Sequence, residues 1–437
     1  MSDLGHIVFV SQLFPPEKGG NASRIHDTAR ELRREGWKVT VLAPPPSVPP
    51  GAFDRSWRRI DTDTIDGITV HRLWSCQPLV EDPGMVRRLL YYLLFGIHAM
   101  LWLLWNVRRY DIVITSTPPI STGAPGLLAD VLGKGWVVDI RDLWIDASIS
   151  LGYLSRGSAL ERISRRFQRT VLHRANRIAV TTDTLQECVR AEYGETLAGR
   201  IMIVPNGVDT DRFTPFAEPP GRLSESSVNG SVALVESNRP AEPQGGSSGS
   251  TDQPVIVYTG NLGSAQALDI VVEAMAYLDH ETAVLRLVGG GDRESSLREL
   301  AAECGVADRV EFVGVVDRVA VPAHLHAATI GIAPLKENDA LRYAMPTKVY
   351  EYLACGLPTV VTGSGEIERF IDVSGGGVHA ENDPEQLARH LDCLLEHDDH
   401  REQLGAAGRE FVIDHYDREA IAKRLSAALM ELREAND

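Results

Sequence analysis

Lys348 and Glu351 stand three residues apart in the segment Met345–Thr362, MPTKVYEYLACGLPTVVT. The loop-to-helix junction expected at Thr347 would offer free N–H groups and a positive dipole end, which suits a diphosphate. Lys348 adds a point charge beside it. The Glu351 carboxylate can accept two hydroxyl hydrogen bonds, as a ribose would donate them. A plainer reading stays open at this point: Pro346 only starts a helix at its first position, and Glu351 lies on the solvated face.

A second group of chemically able residues is Arg141, Asp142 and Trp144 in VVDIRDLWIDA, Val137–Ala147. They follow an expected strand, and residues at the carboxyl end of a parallel strand face the ligand cleft. The alternative is a structural Arg–Asp pair that caps a helix. Gly19 and Gly20, after Phe14–Pro15–Pro16, form a first glycine loop. D-T-D occurs twice, at Asp61 and Asp63 and at Asp209 and Asp211. Both are read as turn residues, and no metal is expected. None of the thirteen histidines has a catalytic spacing.

Several stretches, taken together and in order, carry a family resemblance. MPTKVYEYLACGLPTVVT resembles the donor-binding signature of retaining GT-B glycosyltransferases, family 4. VPNGVDTDRFTP, Val204–Pro215, is similar to that family's interdomain linker. YTGNLGSAQALDIVVEA, Tyr258–Ala274, resembles the first strand, glycine loop and helix of its donor domain. LRLVGGGDRESSL and VEFVGVV resemble two further landmarks, and REFVIDHYDREAIAKRL the closing helices that cross back onto the first domain. A single glycine loop is a weak signal, but five landmarks in register besides the donor-binding signature are a strong one.

The resemblance implies two Rossmann-like parallel-sheet domains facing across a cleft. It implies a nucleotide-sugar donor held by Gly260, Asn261, Gly263 and Gln266, with Thr347 and Lys348. It has Glu351 on the ribose, Gly289 and Gly290 close to the nucleotide, and Val313 and Val315 beside the base. On the acceptor side it implies Gly19 and Gly20, with Trp144 nearby and Asp142 and Arg141 at the reaction centre, because a surface-polysaccharide subgroup carries RDLW there. Two departures stand out. Many members have Arg and Lys where this chain has Asn261 and Gln266, and amides cannot offset phosphate charge. That load would pass to Lys348, with Lys336 and Arg342 as further candidates. The family's paired glutamate, eight residues before Glu351, falls at Tyr343.

These residues need strands and helices to hold them. Ile7–Ser11 reads as a strand, Ala22–Glu35 as a helix ended by Gly36, and Lys38–Leu42 as a second strand. Apolar runs alternating with helical ones continue, at Ile112–Thr115, Trp136–Ile140, Ile178–Thr181 and Ile201–Val204. They restart at Val255–Gly260, Val284–Val288, Val310–Val313, Ile330–Ala333 and Thr359–Thr362. The expected fold is α/β, with a first domain over 1–206 and a nucleotide-sugar domain over 254–417. A closing helix at about 418–437 is expected to pack back on the first domain. Residues 216–253, rich in Ser, Gly, Pro and Glu, are expected to be a disordered insertion.

The 437 residues suffice for two cores, and the net charge of -16 argues against a nucleic-acid partner. Six lysines stand against 38 arginines. The five cysteines show no C-x-x-C pair and read as small buried residues. The amino terminus lacks a signal-peptide pattern, so a cytoplasmic protein is expected. Residues 89–107, LLYYLLFGIHAMLWLLWNV, are flanked by Arg87–Arg88 and Arg108–Arg109. An interfacial helix on a membrane surface is expected, with Trp102 and Trp105 at headgroup depth; a core helix and a true span are the alternatives.

The combined expectation is a metal-independent, cofactor-free transferase. It would move a sugar, with retention, from a nucleotide-sugar to a glycan or a polyprenyl- or dolichyl-phosphate-linked acceptor. A sugar-nucleotide epimerase and a non-catalytic membrane scaffold are the alternatives. The oligomeric state is not legible.

Overall fold

The computed structural model describes residues 4–17, 20–47, 52–79, 84–150, 154–215 and 253–436. The segment 216–252, most of the expected insertion, lies outside the described residues, as does Gly19.

The first sheet has eight strands: β1 His6–Val10, β2 Lys38–Ala43, β3 Ile60–Ile65, β4 Ile68–Leu73, β5 Ile112–Thr117, β6 Gly135–Ile140, β7 Arg177–Val180 and β8 Ile201–Ile203. Their order is β3-β4-β2-β1-β5-β6-β7-β8. All pairings are parallel except β3 with β4. The second sheet contains β9 Val255–Thr259, β10 Val284–Val288, β11 Val310–Gly314, β12 Ile330–Ala333, β13 Thr359–Thr362 and β14 Gly377–Ala380. It is wholly parallel, in the order β11-β10-β9-β12-β13-β14. Helices cover both faces, so β1, β5, β6 and β9 are buried along their full length. That is why they read as continuous apolar runs and not as alternating ones.

The β3–β4 hairpin was not anticipated. Asp66 and Gly67 turn it with φ of 49° and 75°, the backbone a two-residue hairpin turn requires. Asp61 and Asp63 therefore lie in an edge strand and not in a turn. The Asp209 carboxylate does accept the Arg212 N–H of a turn, at 3.1 Å.

Both sheets change direction at their first strand, between β1 and β5 and between β9 and β12. Loops leaving those strands diverge there and open a crevice, the usual ligand position in such sheets. The carboxyl ends of the two sheets face each other, so both crevices merge in one cleft.

The chain crosses that cleft twice. The first crossing follows β8. The second leads into helix Arg418–Glu434, which packs on helix Gly20–Arg34 and buries Leu425, Leu429 and Leu432 in the first domain's core. Trp37 Nε1 donates to Ser426 Oγ at 2.8 Å across this contact. Val208 and Asp417 pair where the two crossings meet.

Helix Gly84–Trp105 has two apolar faces. Tyr91, Phe95, Ala99 and Leu103 are buried against the first sheet, while Leu90, Leu93, Ile97, Leu101 and Leu104 are exposed. Its inner face belongs to the core that β1 and β5 share, so the helix is part of the domain. Trp105 is 91% exposed, but Trp102 is half-buried, with its ring 5.3 Å from that of His71. Trp102 thus packs inward and is not at the outer surface. Of the cysteines, Cys188 and Cys355 are buried, Cys76 and Cys304 half-buried, and Cys393 exposed, contrary to the expectation for all five.

Candidate functional site

The cleft holds a cavity of 810 Å³. The loop after β1 and the first helix form one wall, with Pro15, Pro16, Glu17, Ser23 and Arg24. Four donor-domain segments form the other: the loops after β9, β10 and β11, and the start of helix Thr347–Ala354. A second cavity of 380 Å³, lined by Arg141, Asp142, Thr181 and Tyr343, shares Arg24, Asn206 and Thr347 with the first. The two are continuous through those residues.

Pro346 is the cap of helix Thr347–Ala354, not its first residue, with φ of −65° and ψ of 131°. Pro346, Thr347 and Lys348 at the start of this helix line the larger cavity, and of the first-turn N–H groups that of Val349 is taken by the Pro346 carbonyl at 3.1 Å. Lys348 is buried, and its ammonium lies 3.5 Å from the centre of the Tyr258 ring. Burial pushes the lysine pKa well below its usual value, and Glu351 only partly restores it. Burial also raises the Glu351 carboxyl, against the pull of Arg318, Arg418 and Lys348. Arg318 reaches Glu351 at 3.5 Å and also Asp27 of the first domain at 3.5 Å. The Glu351 carboxylate therefore points into the cleft beside cations from several segments. It is not on a solvated face.

The glycine loops serve each other as much as any ligand. A side chain at Gly289 would lie 1.8 Å from the Gly260 carbonyl, and one at Gly291 would lie 2.4 Å from the Leu262 carbonyl. Gly260 and Gly289 adopt φ of 125° and 147°, a region that favours glycine. Gly260 donates to the Val288 carbonyl at 2.8 Å, and Leu262 to that of Gly290 at 3.0 Å. The loops lie backbone on backbone, leaving an open floor under the cavity.

The sequence-predicted residues fall into two sets. Gly260, Asn261, Gln266, Gly289, Gly290, Val315, Thr347, Lys348 and Glu351 all line the larger cavity, and Arg141 and Asp142 line the smaller. Val313 does not: it packs on the donor-domain core, and Val316 takes the place beside Val315. Gly263 lies behind Asn261, whose side-chain nitrogen a Cβ there would meet at 2.4 Å. Gly20 begins the first helix, and Ser23 and Arg24, one turn on, reach the cleft instead. Trp144 begins the short helix after β6 and lines neither of the two cavities. Lys336 and Arg342 line neither as well.

Besides Lys348 and Arg141, the cleft is lined by the cations Arg24, Arg318 and Arg418, which sequence reasoning missed. Arg24 is bound to Asp139 at 3.0 Å, to Asn206 at 3.0 Å and to the Val204 carbonyl at 2.7 Å. Burial alone would raise the Asp139 carboxyl, but Arg24 and Arg141 hold it below its usual range. Arg418 pairs with Asp27. One signal was available for Arg24, which stands four residues after the Gly19–Gly20 pair. Arg318 and Arg418 had none, since only the fold brings them to Glu351.

In the smaller cavity, Asp142 Oδ1 and Arg141 Nη1 are buried without a hydrogen-bond partner. Arg141 spends its Nε on the Thr117 carbonyl at 3.2 Å. Burial pushes the Asp142 carboxyl up to about 6, although Arg141 opposes the shift. Neither residue caps a helix. Consecutive residues thus leave a buried donor and a buried acceptor open, a pair that a group able to donate one hydrogen bond and accept another could satisfy.

Residues 244–411 match the "Glycosyl transferases group 1" family and residues 19–207 match the "Glycosyl transferase 4-like domain" family. The chain is a family-4 GT-B glycosyltransferase. Like it is the "Putative colanic acid biosynthesis glycosyl transferase WcaI" of Escherichia coli K12, 23% identical over 81% of this chain and 82% of that protein. A GDP-mannose-dependent α-(1-6)-phosphatidylinositol monomannoside mannosyltransferase of Mycolicibacterium smegmatis is 26% identical over 68% of this chain and 78% of that one. The fold matches sucrose-phosphate synthase from Thermosynechococcus elongatus with a TM-score of 0.73, at 19% identity over 99% of this chain and 100% of that one. It matches Anabaena HepE, solved with UDP and glucose, with a TM-score of 0.67, at 13% identity over 98% and 100%. Both likenesses are of fold: two parallel-sheet α/β domains, as in the GT-B architecture.

Proposed function

We propose that this glycosyltransferase moves a sugar, with retention, from a nucleotide-sugar onto a hydroxyl of a lipid-linked glycan at a membrane surface. One observation carries the reading: Lys348 and Glu351 leave one helical turn and enter a single cleft, opposite Arg24 and beside the glycine loops. Glu351 would take the ribose hydroxyls. The helix start and Lys348 would take the diphosphate, with the backbone after β9 beneath it. Stabilising the departing diphosphate favours an oxocarbenium-like sugar, so this charge supplies much of the catalysis. No pair of glycosidase-type carboxylates is needed for that.

The sugar and the acceptor would meet in the smaller cavity. The open Asp142 Oδ1 needs a donor, and the open Arg141 Nη1 needs an acceptor. A hydroxyl answers both, whereas a phosphate would meet the Asp142 charge. An acceptor that ends in a sugar fits this better than a bare lipid phosphate. The outer stripe of helix Gly84–Trp105, flanked by arginines, supports a membrane surface as the place where such an acceptor is met.

The experiment is a screen of sugar nucleotides, beginning with UDP-glucose and GDP-mannose, for thermal stabilisation and turnover. Lys348→Ala and Glu351→Ala are each expected to lower turnover by about tenfold or more with circular dichroism unchanged. Wild-type turnover in both variants would end the reading.

A further inference from the structure

Tyr343 belongs to the donor domain by chain order but is buried in the first domain's core, with Leu143, Val180, Leu185 and Cys188. Its hydroxyl accepts the Leu143 N–H at 3.0 Å, and its carbonyl accepts the Thr182 hydroxyl at 3.1 Å. The next residue back is held from the other side. Glu366 N–H donates to the Arg342 carbonyl at 2.7 Å, and a side chain at Gly365 would come within 2.2 Å of that carbonyl. Glu366 in turn accepts the Thr184 N–H and hydroxyl at 3.1 and 2.6 Å. Arg342 and Tyr343 are thus clamped between the two domains.

Leu143 directly follows Asp142, so the N–H that Tyr343 takes belongs to the peptide from which Asp142 extends. We propose that Tyr343 is a positioning residue which, by accepting the Leu143 N–H across the cleft, fixes Asp142 in the reaction cavity when the domains are closed. This rests on the reading of Asp142 as a reaction-centre group. A buried amide left unpaired is costly, so the closed arrangement with Tyr343 seated is the one that satisfies the Asp142–Leu143 turn.

The residue type fits the task. Burial pushes the Tyr343 hydroxyl up to about 12, so it accepts the N–H while keeping its own proton. It also lines the cavity that holds Asp142. A carboxylate at 343 could accept the same N–H, but would put a second negative charge beside Asp142. Tyrosine supplies the acceptor without the charge. It also ties the donor loop to the acceptor wall by one side chain, so the donor sugar's pocket and Asp142 form together.

The test compares the full chain with Tyr343→Phe and Thr184→Ala, using UDP and GDP as binding probes and UDP-glucose and GDP-mannose as donors. Tyr343→Phe keeps the ring and loses the acceptor. It is expected to bind nucleotide within about threefold of wild type, turn donor over about tenfold more slowly, and shift the acid limb of the pH–rate profile. Thr184→Ala breaks the neighbouring interdomain bond and is expected to leave that limb in place. Hydrogen exchange at the Leu143 amide, an arm that needs no substrate, is expected to quicken by about tenfold in Tyr343→Phe alone. Unchanged exchange in that variant overturns the proposal, as does unchanged turnover with an unmoved limb. Failure of wild type to bind either nucleotide would sink the donor reading, and the exchange result would still decide the clasp.

Discussion

The Lys348 ammonium lies over the face of the Tyr258 ring, 3.5 Å from its centre, with Gly260 alongside so that a Cβ there would approach the nitrogen to 3.2 Å. The ring's negative face borders the ammonium, and the lysine side chain is largely buried beside the cavity. Burial penalises the charged form, and a cation–π contact of about 2 kcal/mol offsets that only in part. A diphosphate would supply the missing counter-charge.

It follows that donor binding should take up protons. The Lys348 pKa is depressed in the free protein and would rise when a diphosphate arrives, so the complex holds more protons than its parts. UDP or GDP affinity should therefore strengthen as pH falls through the window between those two values. Calorimetry in buffers of different ionisation enthalpy would reveal the uptake, and Lys348→Met should abolish it. Equal heats in all buffers for wild type would contradict this account.

The acid limb of activity should belong to Asp142. With its carboxyl raised to about 6, the ionised form that accepts a hydroxyl proton is lost as pH falls through that value. Turnover should drop by about tenfold per pH unit below it. Asp142→Asn should flatten the limb and lower turnover at neutral pH, while nucleotide affinity stays near that of wild type. A limb that persists in the variant would assign it elsewhere.

Vesicle flotation tests the outer face of helix Gly84–Trp105. Binding to vesicles of phosphatidylglycerol should exceed that to phosphatidylcholine and weaken with salt, because Arg87, Arg88, Arg108 and Arg109 flank the stripe. Leu101→Ser with Trp105→Ser, both at exposed positions, should reduce flotation by about tenfold at unchanged melting temperature. Trp102 leans on His71, so its loss should cost stability instead. Equal recovery of wild type and the double variant would remove the membrane from the proposal.

Much of this architecture was legible because parallel strands declare themselves. Runs such as Ile112–Thr115 and Val255–Thr259 are buried on both faces, and a buried strand has few other ways to be written. The β3–β4 hairpin escaped because Ile60–Ile65 lies at an edge and carries Asp61 and Asp63, although Asp66–Gly67 was a turn signal on the page. Within the site, Lys348 and Glu351 could be read together because one helix carries both. Arg318 and Arg418 could not, for they come to the cavity that holds Glu351 from a loop after β11 and from the second crossing, a hundred residues apart. Tyr343 looked like a gap in a motif; its role depends on Leu143, two hundred residues earlier and in the other domain.

The return of helix Arg418–Glu434 to helix Gly20–Arg34 has a bearing on how the protein is made. Leu425, Leu429 and Leu432 complete a core that Ile25, Leu32 and Trp37 begin. A nascent chain that has emerged as far as β8 thus carries an open apolar seam, closed only once helix Arg418–Glu434, more than two hundred residues later, has followed. Synthesis halted before Arg418 would yield a first domain missing its lid and prone to self-association, however well the nucleotide half had folded.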